Sequence, residues 1–167
     1  MMKMLKKVLF VAVALLAITG AQAQMKGDNA VGAGLVIGTG DLDNVGIGIK
    51  YQYNITTPIR IEPTMTFFFK NDYKSAWDLM ANVHYILPVA DSFNLYPIAG
   101  IGIQRYKGHL SDILVNVKDI TSTSFQFNIG LGAEYWFDHN WAGFFEFKYK
   151  LADWDFANFV FGVAYKF

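Results

Sequence analysis

The sequence predicts an all-β fold, an eight-stranded antiparallel up-and-down β-barrel that crosses a membrane. Three observations predict it. Apolar and polar residues alternate with a period of two through most of the chain. The alternating segments run about ten residues each, the length a tilted strand needs to cross a bilayer. The greasy face of each segment is expected to carry no Asp, Glu, Lys, Arg, His, Asn or Gln. The last segment is typical: Ala157, Phe159, Phe161, Val163, Tyr165 and Phe167 alternate with Asn158, Val160, Gly162, Ala164 and Lys166. Such a strand suits lipid on one side and a packed polar interior on the other.

The first residues are read apart from the fold. Lys3, Lys6 and Lys7 precede an apolar run, Val8–Thr19, and Ala21-Gln22-Ala23 forms a small-x-small cleavage site. Residues 1–23 are therefore expected to be a secretory signal peptide. The run is too short for a helix crossing roughly 30 Å of hydrocarbon. What remains, residues 24–167, is one domain's worth of chain. The full chain has 14 basic and 14 acidic residues; three lysines leave with the leader, so 11 face 14 and the domain is mildly acidic. With no basic patch, nucleic acid is excluded as a partner. There is no cysteine, so neither disulfides nor thiolate metal sites nor N-terminal lipidation are available.

The eight segments follow in order, each bounded by turn residues. The first, Ala30–Gly38, turns Val31, Ala33, Leu35 and Ile37 outward, and Thr39-Gly40-Asp41 opens a tight loop ending at Asn44. The second, Val45–Asn54, turns Val45, Ile47, Ile49, Tyr51 and Tyr53 outward before Thr56-Thr57-Pro58. The third, Ile59–Lys70, contains Pro63, which cannot donate a ladder bond, so a bulge or a missing bond is expected there. The fourth is Trp77–Leu87, with Pro88-Val89-Ala90-Asp91 as the next turn. The fifth, Leu95–Arg105, turns Pro97, Ala99, Ile101 and Ile103 outward. The sixth, Ser124–Phe137, alternates without interruption. Asp138-His139-Asn140 turns the chain into the seventh, Trp141–Leu151, and Ala152-Asp153-Trp154-Asp155 leads to the eighth.

The assignment of faces is energetic. One lysine near the bilayer midplane would cost roughly 2–4 kcal/mol, and a one-residue slip of any strand would turn several charges outward. A soluble barrel would need these bulky apolar residues inside, where a small barrel only just accommodates its side chains.

The inward positions carry Lys50, Arg60, Glu62, Lys70, Asp78, Glu134, Glu146 and Lys148, with Lys150 and Lys166 beside them. Both signs occur, so an interior network of ion pairs is expected, since buried charge is tolerable only when partnered. The network is expected to form a polar plug rather than a selectivity lining for ions, because eight strands enclose little more than their own side chains. Gly32, Gly34, Gly46 and Gly48 on strands one and two, and Gly100, Gly102, Gly130 and Gly132 on strands five and six, are expected as opposite walls making room for bulky residues elsewhere. Gly100-Ile101-Gly102 opens no helix, so it is no phosphate cradle.

On these features the chain resembles the small outer-membrane β-barrel families of Gram-negative bacteria, such as OmpX and the transmembrane part of OmpA. The resemblance rests on Ala21-Gln22-Ala23, the eight segments and the ending Phe159-Val160-Phe161-Gly162-Val163-Ala164-Tyr165-Lys166-Phe167, and it spans residues 24–167. It implies a monomer in the cell outer membrane, in contact with membrane lipid and lipopolysaccharide. Phe159, Phe161, Tyr165 and Phe167 would be read by the outer-membrane assembly machinery. It leaves no room for a trailing peptidoglycan-binding domain. It does not name an activity, since this fold hosts many.

Both termini are then expected on the periplasmic side. The one long external connection, Tyr106–Thr123, contains Ile113, Val115 and Val117 in alternation and is the expected surface for a protein partner, by strand pairing. The favoured function is non-catalytic, structural or through loop-mediated binding, with no cofactor. A narrow porin is one alternative. Another is a lipid A-modifying enzyme: lipid A deacylases use a His-x-Ser pair, and His109-Leu110-Ser111 has that spacing. Against it, Asp112 replaces the expected Asn and no acidic partner is assigned. The three histidines, His84, His109 and His139, are too scattered for a metal site, and His84 is expected as a satisfied interior group. Asp41, Asp43, Asp153 and Asp155 offer oxygens for calcium, but acidic loop tips are ordinarily solvated.

Overall fold

The computed structural model describes residues 26–40, 44–71, 74–108, 120–151 and 156–167. The expected signal peptide therefore lies outside the described residues, as do His109, Ser111, Asp112 and the four loop aspartates.

Nine strands are formed: β1 (Asn29–Gly40), β2 (Asn44–Asn54), β3 (Ile59–Asn71), β4 (Lys74–Tyr85), β5 (Leu87–Ala90), β6 (Phe93–Gly108), β7 (Ile120–Trp136), β8 (Trp141–Leu151) and β9 (Phe156–Lys166). Each long strand pairs antiparallel with its neighbours in sequence. β1 pairs with β9, and β4 with β6, so the sheet closes on itself. The result is an eight-walled barrel, because β5 merely continues β4. The register against β6 runs on unshifted, with His84 facing Ile98 and Leu87 facing Leu95. The segment expected as a turn at Pro88–Asp91 is thus strand as far as Ala90. Proline is accepted there because it sits at the end of the wall.

Pro63 acts differently. Register between β2 and β3 is kept, with Lys50 facing Thr64 and Tyr53 facing Ile61, but the two pairs between them are missing. Proline has no N–H to give Tyr51 opposite it. A ladder bond is lost without a bulge.

Every inward position is even-numbered, because each turn preserves parity around the closed sheet. The odd face is apolar and exposed, from Leu35 and Ile47 through Phe127 and Leu131 to Phe161. One expectation fails on it. Arg105 belongs to the odd face and is exposed, between Trp77 on β4 and Thr123 on β7. It lies near the end of its strand, where a long basic side chain can reach the headgroups.

The glycine-bearing strands do stand opposite, β1 and β2 facing β6 and β7 in the closed order. The room they make is local, several bulky inward side chains leaning over the glycine paired with them on the next strand. Tyr96 pairs with Gly132, Phe144 with Gly162, Met80 with Gly102 and Lys50 with Gly32. A methyl group on Gly162 would stand 2.5 Å from Phe144 Cζ, and one on Gly102 would stand 2.5 Å from Met80 Sδ. At these positions space for the bulky side chain is made beside it, on the next strand.

Candidate functional site in the barrel lumen

The lumen is two-sided. Val36, Phe68, Ala76, Phe144, Phe156, Val160 and Ala164 form a buried apolar cluster. Beside it four buried cations, Lys50, Arg60, Lys148 and Lys150, stand with four buried anions, Glu62, Asp78, Glu134 and Glu146.

The charges are stacked in three tiers. Nearest the termini, Arg60 on β3 grips Glu134 on β7 with both guanidinium nitrogens, each at 2.9 Å. Asn94 donates to the same carboxylate at 2.9 Å and Trp136 Nε1 at 3.3 Å, while Asn54 accepts from Arg60 Nε at 3.2 Å. A bidentate, charge-assisted pair with its remaining lone pairs satisfied is the arrangement in which a buried charge is least costly.

The middle tier holds Glu62 and Glu146. Lys50 donates to both, at 3.0 Å to Glu62, and lies 3.5 Å above the Phe144 ring. Glu62 also accepts from Gln52 at 2.9 Å and Thr64 at 3.1 Å. Glu146 lies 2.7 Å from Lys148 Nζ and accepts from the Tyr96 hydroxyl at 3.0 Å. His84 stacks on Tyr96 at 4.7 Å, with Nε2 3.6 Å from Glu62.

In the third tier Lys150 pairs with Asp78, between the rings of Phe68 and Phe156. Asn128 and Asn82 continue the network to Thr64 through bonds of 2.9 and 3.1 Å. At the rim nearest the termini, Lys166 lies 3.6 Å from Asp28 and 5.2 Å from the Trp136 ring.

Of the residues singled out in the sequence, Lys50, Glu62, Glu146 and Lys148 meet in one tier, Arg60 and Glu134 in another, and Asp78 in the third. Lys70 belongs to β3, but its side chain is outside the described residues. Phe159, Phe161, Tyr165 and Phe167 lie on the outer side of β9 or at its end. Sequence reasoning missed the neutral members: Gln52, Asn54, Asn82, Asn94, Tyr96 and Asn128. Their even numbering would have found them.

Glu62, His84 and Glu146 bring one ligand atom each within 4.8 Å of one another. The same carboxylates are already held by the Lys50 and Lys148 ammonium groups, so a metal ion would have to displace two cations. The chemistry on offer is that of a locked ionic plug.

The profile of the outer membrane protein beta-barrel domain family matches residues 9–167. Comparison with curated protein sequences gives no match. Among solved structures, the N-terminal β-barrel domain of Pseudomonas aeruginosa OprF is similar at a TM-score of 0.69 and 17% identity, covering 86% of this chain and all of that one. Neisserial surface protein A gives 0.60 at 13% identity over 83% of this chain and 94% of its own. Ail, the attachment invasion locus protein of Yersinia pestis, gives 0.54 at 15% over 86% of this chain and all of its own. At such identities the likeness is one of fold. The match over nearly the whole chain shows more: it belongs to the outer membrane protein β-barrel domain family, and its place is the outer membrane.

Proposed function

We propose that this protein is a non-catalytic, monomeric barrel with a closed lumen, acting as a structural component of the membrane or through its external loops. One observation carries the reading: the lumen is filled by stacked ion pairs, cation matched to anion. Two small cavities lie beside them, of about 20 and 10 Å³, each with room for about one water molecule. A solute-sized path would require several buried pairs to break together, each at a cost of about 3–5 kcal/mol. Planar-bilayer recording tests this: no stable, large conductance steps are expected, and their appearance would refute it.

The termini are taken as periplasmic, with residues 1–23 removed as a leader and the outward aromatics of β9 read during assembly. Deleting Phe167 should slow insertion by the assembly machinery while leaving refolding in detergent unchanged. Binding is assigned to the connection 106–123 and to lipopolysaccharide around the barrel. In support, β6 and β7 stay paired as far as Gly108 and Ile120, beyond the last pair of β7 with β8 at Phe127 and Leu151. Against an enzyme, the buried His84 is stacked on Tyr96 with neither ring nitrogen hydrogen-bonded, so it is not poised as a base. Incubating the purified protein and its Ser111→Ala variant with lipid A should give no deacylation from either.

A further inference from the structure

The seam at Pro63 opens a trench on the outer wall. A groove of about 420 Å³ runs there between Val31, Ile49 and Tyr51 on one side and Met65 and Leu79 on the other, with Pro63 in its lining. The Tyr51 hydroxyl donates to Asn29 on β1, the neighbour on the side away from β3. The wall is weakened at the same place, since the pairs of Tyr51 with Pro63 and of Gln52 with Glu62 are missing.

A barrel is convex, and a lipid chain beside it ordinarily touches along one line. In a concave trench of this volume it is contacted on three sides, and dispersion grows with each contact. The level is set by Tyr51, which pairs with Val31, itself paired with Tyr165 of the Trp141–Tyr165 aromatic pair near the termini. Aromatic belts of this type sit at the headgroups.

We propose that the Pro63 groove is a binding site for one acyl chain of a phospholipid from the periplasmic leaflet, held as a resident ligand by its contacts with the trench walls. The choice of phospholipid rests on the periplasmic placement of the termini.

The test is photolabelling in vesicles of phosphatidylethanolamine containing a fraction with a mid-chain diazirine, followed by peptide mapping. Labelling at Met65 and Leu79 should exceed that at Leu131 and Phe127, equally greasy positions on β7, several-fold. Val31→Trp, which fills the trench from its edge, should abolish the excess, while Leu131→Trp should not. Heat-modifiability on gels checks that both variants are folded. Equal labelling at all four positions, or an excess that survives Val31→Trp, would overturn the groove as a site. A parallel arm uses reconstituted asymmetric membranes with the diazirine in lipid A. Preferential labelling of the groove by that probe would overturn the phospholipid assignment and the orientation behind it.

Discussion

Arg60 and Glu134 face each other across the lumen from β3 and β7, strands that share no ladder, through two parallel hydrogen bonds of 2.9 Å. This pair ties distant walls together, and neither side chain has appreciable contact with solvent. Its value to the fold is conditional. Taking two charges out of water is expensive, and only their fit repays it.

Removing one partner should therefore be far worse than removing both. Arg60→Met or Glu134→Leu alone leaves an uncompensated buried charge and should destabilise by about 3–5 kcal/mol, while the double variant should recover much of that loss. Urea unfolding in detergent or liposomes, followed by the folded band on unheated gels, measures all three. A double variant as unstable as the sum of the singles would contradict the pairing.

Tyr96 and Gly132 make a second coupled pair. The Tyr96 ring lies where a Cβ on Gly132 would have to stand, held by His84 stacking and by its hydroxyl on Glu146. Gly132→Ala should cost about 1–3 kcal/mol as an overpacked site. Adding Tyr96→Leu should make the alanine nearly neutral, because the obstructing ring is gone. The same unfolding assay reads the cycle.

How far these pairs could be read in advance differs between the two faces. The odd-numbered apolar face was legible because strand period and turn lengths both preserve parity, and a slip would be punished at many positions at once. Arg105 departs from the pattern because it lies near the end of β6, where the membrane penalty that enforces the alternation fades. Tyr96 and Gly132 follow from register, which parity alone does not fix. Partners such as Arg60 and Glu134 depend on strand tilt and on where the barrel closes, quantities that no local run of residues encodes. Pro63 was legible as a lost bond. The groove outside it was not, since its lining is drawn from β1, β2, β3 and β4 together.

Depth should govern the cost of charge on the outer wall. Leu131, outward and 64% exposed, lies well inside the apolar band, and Leu131→Lys should cost roughly 2–4 kcal/mol. Arg105 already carries a charge beside Trp77, near the end of β6. Arg105→Leu should change stability by less than about 1 kcal/mol, as expected near an interface. Refolding into vesicles followed by urea titration compares the two. Similar effects would mean that the band does not sit where the apolar face places it.

At the turn between β7 and β8, the titration of Asp138 offers a test outside the membrane. Its Oδ1 accepts the backbone N–H groups of Asn140 and Trp141, both at 2.8 Å. These bonds favour the ionised form and hold the carboxyl below its ordinary value of 3.8. In the unfolded chain the bonds are absent and the ordinary value returns. The unfolded state then binds more protons in acid, so the turn's contribution is present above pH 3.8 and is lost as pH falls through the depressed folded value. Carbon-13 titration of the side chain should place the Asp138 midpoint below the ordinary value of 3.8. Asp138→Ala should weaken the folded state at neutral pH, and its deficit should shrink in acid. Asp138→Asn keeps an acceptor oxygen but cannot ionise, so it should remove the pH dependence of this contribution and retain part of the stability. A deficit in Asp138→Ala that stays constant through the acid range would show that the carboxylate's charge does not hold the turn.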